Sequence, residues 1–254
     1  MKRTLKMTLL ALWAPAMILT MVGCGGQVSL TALPAGDLFE KAMTLYESEK
    51  YLEAIPNFQA VVYNYPGASM VDSAQYFLAL SYYGQQDYQL ATVEFNRLMQ
   101  NYPSSVFSEN SQFMKAVCLF DAAPGHYGLD QTDLAEAVML MEDFVVDHPE
   151  SEMVSDAHTY IREARTRLAR KVYDSGVIYT RIRAYKAAKI YFQQVVDDYT
   201  DTEYGPLATL GIAECDFRQR EYGKAREQFS NFLKVFPDHI EHERAAEMLV
   251  DAAF

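Results

Sequence analysis

Four times along the chain a tyrosine is followed three residues later by an alanine and, four residues after that, by a phenylalanine. The copies are Tyr51, Ala54 and Phe58; Tyr88, Ala91 and Phe95; Tyr185, Ala188 and Phe192; Tyr222, Ala225 and Phe229. Each leads to an aromatic residue and a turn, at Tyr65-Pro66, Tyr102-Pro103, Tyr199-Thr200 and Phe236-Pro237. A looser fifth copy has Ala137, Met141, Phe144 and His148-Pro149. Such spacings place these side chains on one face of a helix. The alanine lets a second helix press close, and the phenylalanine fills the gap to the next copy. The proline ends the helix because it cannot continue one. A single unit cannot bury its apolar face alone, so the units must stack into an array.

The pattern resembles the tetratricopeptide repeat, a pair of antiparallel helices of about 34 residues. Ala42, Ala79 and Ala213 supply the matching small position on the first helix of a pair. The turns fall at positions 66, 103, 149, 200 and 237, in steps of 37, 46, 51 and 37 residues. The 46-residue step holds an inserted loop, Asp121–Gly128, after which Asp133 is expected to cap the next helix. With Thr200 in place of proline, the fourth turn is less sharply specified. The 51-residue step holds a long helical stretch, Ser155 to Thr180, with almost no breaker before Gly176. The expected fold is an all-α solenoid of about five helical hairpins, a long helix joining the third and fourth. Residues 37–151 then hold repeats 1–3, and residues 152–254 hold the long helix with repeats 4 and 5.

Ahead of the repeats, Lys2, Arg3 and Lys6 precede an apolar run from Thr8 to Thr20, and Gly23-Cys24 follows. A charged start, a short apolar run and a small residue before the cut describe a secretory signal over residues 1–23. The run is too short to span a bilayer comfortably as a helix. A cysteine directly after the small residue marks the bacterial lipoprotein variant. There Cys24 takes a diacylglyceryl group on its thiol and an acyl chain such as palmitate on its new amino terminus. Several chains at one residue anchor stably, since each buried methylene adds about 0.8 kcal/mol. Gly25 follows Cys24 where an aspartate would hold an enterobacterial lipoprotein at the inner membrane, so the outer membrane is expected. Residues 24–36 are read as a tether.

The net charge is −12, and removing a signal with three basic and no acidic residues makes it −15. So acidic a chain is a poor nucleic-acid binder, because that affinity comes largely from neutralised phosphates. Cys118 and Cys215 sit far apart in the repeat order and are expected to be buried free thiols, although the compartment permits a disulfide. The chain has no Gly-rich phosphate loop, G-x-S-x-G, H-E-x-x-H or C-x-x-C motif. His239 and His242, flanked by Glu241 and Glu243, come nearest to a metal site but show no third ligand. Neither metal nor cofactor is therefore expected, and a non-enzymatic binding role fits a repeat array.

Two surfaces are candidates for that role. By repeat register, Phe39, Met43 and Tyr46, then Tyr76, Leu80 and Tyr83, then Phe113, Val117 and Phe120 point outward from successive first helices. They form either an apolar trough for a peptide with aromatic anchors or part of the core beneath the long helix. The second surface is basic. Arg162, Arg165, Arg167, Arg170, Lys171, Arg181, Arg183, Lys186 and Lys189 face only Glu163 and Asp174 within their own segment. This belt is either a docking site for an acidic partner or a solvated face balanced by nearby carboxylates.

Nearly the whole chain after Cys24 resembles the BamD family of outer-membrane β-barrel assembly lipoproteins. The more specific part runs from Arg167-Leu168-Ala169-Arg170 through Tyr179-Thr180 and Ala184-Tyr185 to Asp198-Tyr199-Thr200-Asp201-Thr202. The resemblance implies that the C-terminal half binds a BamA-like barrel protein through its POTRA domains. It also implies that the N-terminal repeats receive unfolded outer-membrane protein precursors, whose ends are rich in aromatics. An adaptor of the Tol-Pal and cell-division envelope system stays open, although no heptad run is present. An envelope enzyme stays open too, against the missing catalytic cluster.

Overall fold

A computed structural model describes residues 33–253. The expected signal segment, Cys24 and most of the tether lie outside the described residues. Those residues form eleven α-helices: α1 Ala35–Glu47, α2 Tyr51–Asn64, α3 Val71–Gly84, α4 Tyr88–Asn101, α5 Ser108–Ala122, α6 Thr132–Asp147, α7 Val154–Arg181, α8 Tyr185–Asp198, α9 Tyr204–Arg218, α10 Tyr222–Val235 and α11 His242–Asp251. Consecutive helices pack in pairs, and each pair packs on the next. The molecule is a tetratricopeptide-repeat solenoid of five hairpins, with α11 lying against α10 after the last of them. The helix α1 starts at Ala35, inside the stretch read as tether, because Pro34 is well suited to the position just before a helix.

The repeat signature explains the core. Ala42, Ala54, Ala79, Ala91, Ala137, Ala188, Ala213 and Ala225 are all buried, as are Phe58, Phe95, Phe144, Phe192 and Phe229. Phe192 shows why two glycines sit inside helices. A Cβ on Gly176 of α7 would fall 2.6 Å from its ring, and one on Gly211 of α9 would fall 2.9 Å from it. The ring therefore occupies the space that side chains on α7 and α9 would otherwise need.

Four hairpins turn through three residues, and each turn places a non-glycine residue in the left-handed region: Glu49, Gln86, Arg183 and Arg220, at φ 58–65°. All four close with the same pair of bonds. The Arg183 N–H donates to the Thr180 carbonyl and the Ala184 N–H to the Tyr179 carbonyl, as at the other three turns. These are the two bonds of a Schellman cap. The third hairpin replaces this turn with the longer 123–131 loop. Asp133 does not cap α6 as expected; it lies in the first turn, and Gln131 holds the cap position. The Asp130 carboxylate, one residue earlier, accepts from the Thr132 N–H instead.

The fourth inter-repeat turn keeps the form of the others without a proline. The Thr202 N–H donates to the Tyr199 carbonyl just as Ser105 does to Tyr102, and the Thr202 hydroxyl donates to the same Tyr199 carbonyl. The helix α7 has 28 residues and two partners. Its first half packs on α5 and α6, and its second half packs on α8 and α9. Among the described residues, the substantial packing between repeats 1–3 and repeats 4–5 passes through this helix.

Candidate functional site

Aromatic rings run unbroken across the first two repeats. Phe39 meets Phe58 edge-on at 6.0 Å, Phe58 stacks on Phe77 at 6.2 Å, and Tyr46 meets Phe77 at 5.2 Å. Tyr76 stacks on Phe107 at 4.6 Å and touches Phe95 at 5.9 Å. Phe39, Met43, Tyr46, Tyr76, Leu80 and Tyr83 are half-buried, each with one side in the core and one edge at the surface. Burial raises the phenols of Tyr46 and Tyr76 above their usual range. Tyr83 is raised further, by burial first and then by the Asp121 carboxylate, to which its hydroxyl donates at 2.7 Å.

The third set is not part of an open trough. Phe113 and Phe120 are 8% and 9% exposed, and Val117 is 2% exposed. The first half of α7 covers them: Tyr160 lies 6.0 Å from the Phe113 ring and 4.9 Å from the Phe120 ring. The surface-edged aromatic face is therefore two repeats wide and stops where α7 begins.

The basic belt also divides. Arg165 forks onto Asp201 at 2.6 and 3.0 Å, donates to the Asp198 carbonyl and lies over the Tyr199 ring. These contacts hold the Asp201 carboxyl below the usual carboxylate range. Arg167 donates to the Pro124 carbonyl, Lys171 to the Leu129 carbonyl, and Arg170 sits 4.3 Å over the Tyr127 ring. Three cations of α7 thus strap the inserted loop down. Lys189 pairs with the buried Asp216. Arg162, Arg181, Arg183 and Lys186 remain exposed, with no carboxylate at ion-pair distance among the described residues. Of the six belt residues expected to dock a partner, Arg165 and Arg170 are thus committed internally.

Arg181 and Arg183 line a cavity of about 440 Å³ between the second half of α7, α8, α9 and the start of α11. Tyr173, Val177, Phe192, Leu207 and Leu210 supply its apolar lining, and Glu214, Arg218, Glu241 and Arg244 its charged lining. Arg244 binds both Glu214 and Glu241. Burial raises the Glu214 carboxyl, and Arg244 opposes that rise. Sequence reasoning missed this site because α7, α9 and α11 meet only in the folded array. Its one signal was the pair Arg181 and Arg183 beside Tyr185.

Cys118 and Cys215 are unpaired and buried, and burial pushes the Cys118 thiol up to about 12. His239 Nδ1 accepts from the Glu241 N–H, and its ring packs on Phe232. Among the described residues, no three potential ligands gather into a metal site. No helix there is long and apolar enough to cross a membrane.

A family match described as YfiO, outer membrane lipoprotein, spans residues 31–214, from just before α1 into α9. No curated protein matches the chain. Similar solved structures include a tetratricopeptide repeat protein from Parabacteroides merdae ATCC 43184 (13% identity, 86% of this chain, 73% of that one, TM-score 0.37). A thermophilic tetratricopeptide repeat protein of Thermus thermophilus shares 16% identity over 85% of this chain and 100% of its own, with TM-score 0.37. The TPR2AB-domain:pHSP90 complex of yeast Sti1 shares 10% identity over 87% of this chain and 98% of its own, with TM-score 0.40.

Proposed function

The chain belongs to the YfiO family of outer membrane lipoproteins, and from that premise we propose that it is a non-enzymatic scaffold of the β-barrel assembly machinery. In this reading Cys24 anchors it to the periplasmic face of the outer membrane. Arg162, Arg181, Arg183 and Lys186 dock a BamA-like barrel protein through acidic patches on its POTRA domains. The half-buried face of Phe39, Tyr46, Tyr76 and Tyr83 receives the aromatic ends of unfolded barrel precursors. Together they promote insertion of those precursors.

The family match over residues 31–214 carries the reading, since it spans both surfaces. The electrostatics support it. A cluster of unpaired cations on a chain of net charge −12 steers an acidic partner to one place and repels it elsewhere. The aromatic face suits weak binding of many sequences, because rings offer contact area at low entropic cost.

Purification of the lipidated protein from outer membranes tests the proposal. Co-recovery of a barrel protein with POTRA domains, lost on charge reversal at Arg181 and Arg183, supports it. Recovery of Tol or peptidoglycan-associated proteins instead would assign the chain to that envelope system.

A further inference from the structure

A belt that only steers charge needs no cavity beside it, yet Arg181 and Arg183 line one whose walls are part charged and part apolar. Its volume of about 440 Å³ falls within the range of built ligand pockets, roughly 300–1,000 Å³. The lining carries four arginines and two glutamates. Arg244 is engaged by both glutamates, whereas Arg181, Arg183 and Arg218 meet no carboxylate at ion-pair distance among the described residues. Arg181 and Arg218 also lie in the last turns of α7 and α9. Each helix end there presents about half a negative charge. The starts of α8 and α11, which carry Tyr185 and Glu241 to the same cavity, offset these two ends, so about two positive charges remain unmatched beside its apolar walls. The cavity therefore suits a ligand that carries an anion and a large apolar group a residue apart.

We propose that the cavity holds a short segment of a partner protein in which one aromatic or large aliphatic side chain stands next to a single carboxylate. The apolar side chain lies against Leu207 and Val177. The carboxylate meets the guanidinium forks of Arg181 and Arg183, whose planar donors match its two oxygens. Held by both contacts, this anchor sets how long the partner stays, while the belt's charge as a whole sets how fast it arrives. The inference rests on the docking reading of Arg181 and Arg183 and adds the chemistry that they recognise.

The test uses the full lipidated chain in detergent and short fluorescein-labelled Gly-Ser peptides with a central Phe-Glu, Phe-Gln or Ala-Glu, read by fluorescence polarisation. Phe-Glu should bind at least about five-fold tighter than either of the others, a difference of about 1 kcal/mol. Leu207→Trp fills the floor and should abolish that preference. Arg181→Glu with Arg183→Glu should transfer the preference to a Phe-Lys peptide. Equal binding of Phe-Glu and Phe-Gln, or of Phe-Glu and Ala-Glu, overturns the proposal on the unmodified chain, whether or not a variant folds. If Leu207→Trp still recovers the barrel protein as the unmodified chain does while the double arginine reversal does not, the anchor falls and the docking belt stands. If both variants recover it undiminished, the docking reading falls.

Discussion

Replacing Arg183 with glycine should make the protein more stable and its docking weaker. Arg183 sits at φ 62°, where an L side chain crowds the following carbonyl. That conformation costs roughly 1–2 kcal/mol, and glycine adopts it freely. Glycine also loosens the unfolded chain, which returns about 0.4–1 kcal/mol. The net gain is about 0.5–1 kcal/mol. The turn's bonds from Arg183 and Ala184 are backbone bonds and survive the change, and the arginine side chain is exposed with no ion-pair partner among the described residues to lose. For a chain of this size the gain raises Tm by about 1–4 °C. Gln86→Gly is the control. Its backbone is the same, at φ 62°, but it lies in the second hairpin and far from the belt in sequence. Thermal melts followed by circular dichroism, paired with recovery of the barrel partner, separate the two terms. Both variants should melt higher, and only Arg183→Gly should bind less. A lower Tm for Arg183→Gly would refute the strain argument, because it would mean that the side chain stabilises the fold by more than its backbone costs.

Other changes have equally definite outcomes. Arg165→Ala should cost about 1–2 kcal/mol, discounted because the Asp201 carboxylate is half exposed, and urea denaturation reads it. Since Arg165 depresses the Asp201 pKa, the paired state adds stability above the unfolded carboxylate value and loses it as pH falls through the folded one. The gap between Arg165→Ala and the parent should therefore close below about pH 4. Phe113→Ala should cost about 3–5 kcal/mol, whereas the half-buried Tyr76→Ala with Tyr83→Ala should keep the helical signal and lose precursor-peptide affinity. Collapse of the tyrosine pair's fold would assign those rings to the core. Cys24→Ser should leave melting unchanged and move the protein from the membrane to the soluble fraction; persistence in the membrane would refute lipid anchoring there.

What could be read from the sequence was what is local. The Ala-to-Phe spacing located four of the five hairpins and a looser copy, Ala137, Met141 and Phe144, the third, because these residues act within one helix and its immediate partner. The long helix was legible as Ser155–Thr180 and is Val154–Arg181. The left-handed turns were not legible, since none of Glu49, Gln86, Arg183 or Arg220 is the glycine that usually marks such a turn. Phe113 and Phe120 have the same register as Tyr76 and Tyr83 and differ only in having α7 above them. That cover comes from a helix some forty residues onward. Arg165 and Arg167 looked like free cations because Asp201 and the Pro124 carbonyl lie more than thirty residues away in sequence. The cavity is the furthest case: its lining residues run from Tyr173 to Arg244 along the sequence.

The double occupancy of α7 also bears on how the molecule comes apart. A plain repeat array unfolds by degrees, since each unit leans only on its neighbours and either end can fray without the rest. Here the central helix is the apolar cover of the third hairpin and the first helix of the fourth. At about 1.5 Å per residue it is roughly 42 Å long, with no place to divide without stripping one half or the other. Melting at the middle is therefore all or nothing, and partial opening belongs to the helices on either side that α7 does not pack on, α1–α4 and α10–α11. A protease meeting this chain in the envelope finds its footholds in the repeats on either side, while the block from α5 to α9 around this helix stands or falls as one cooperative body.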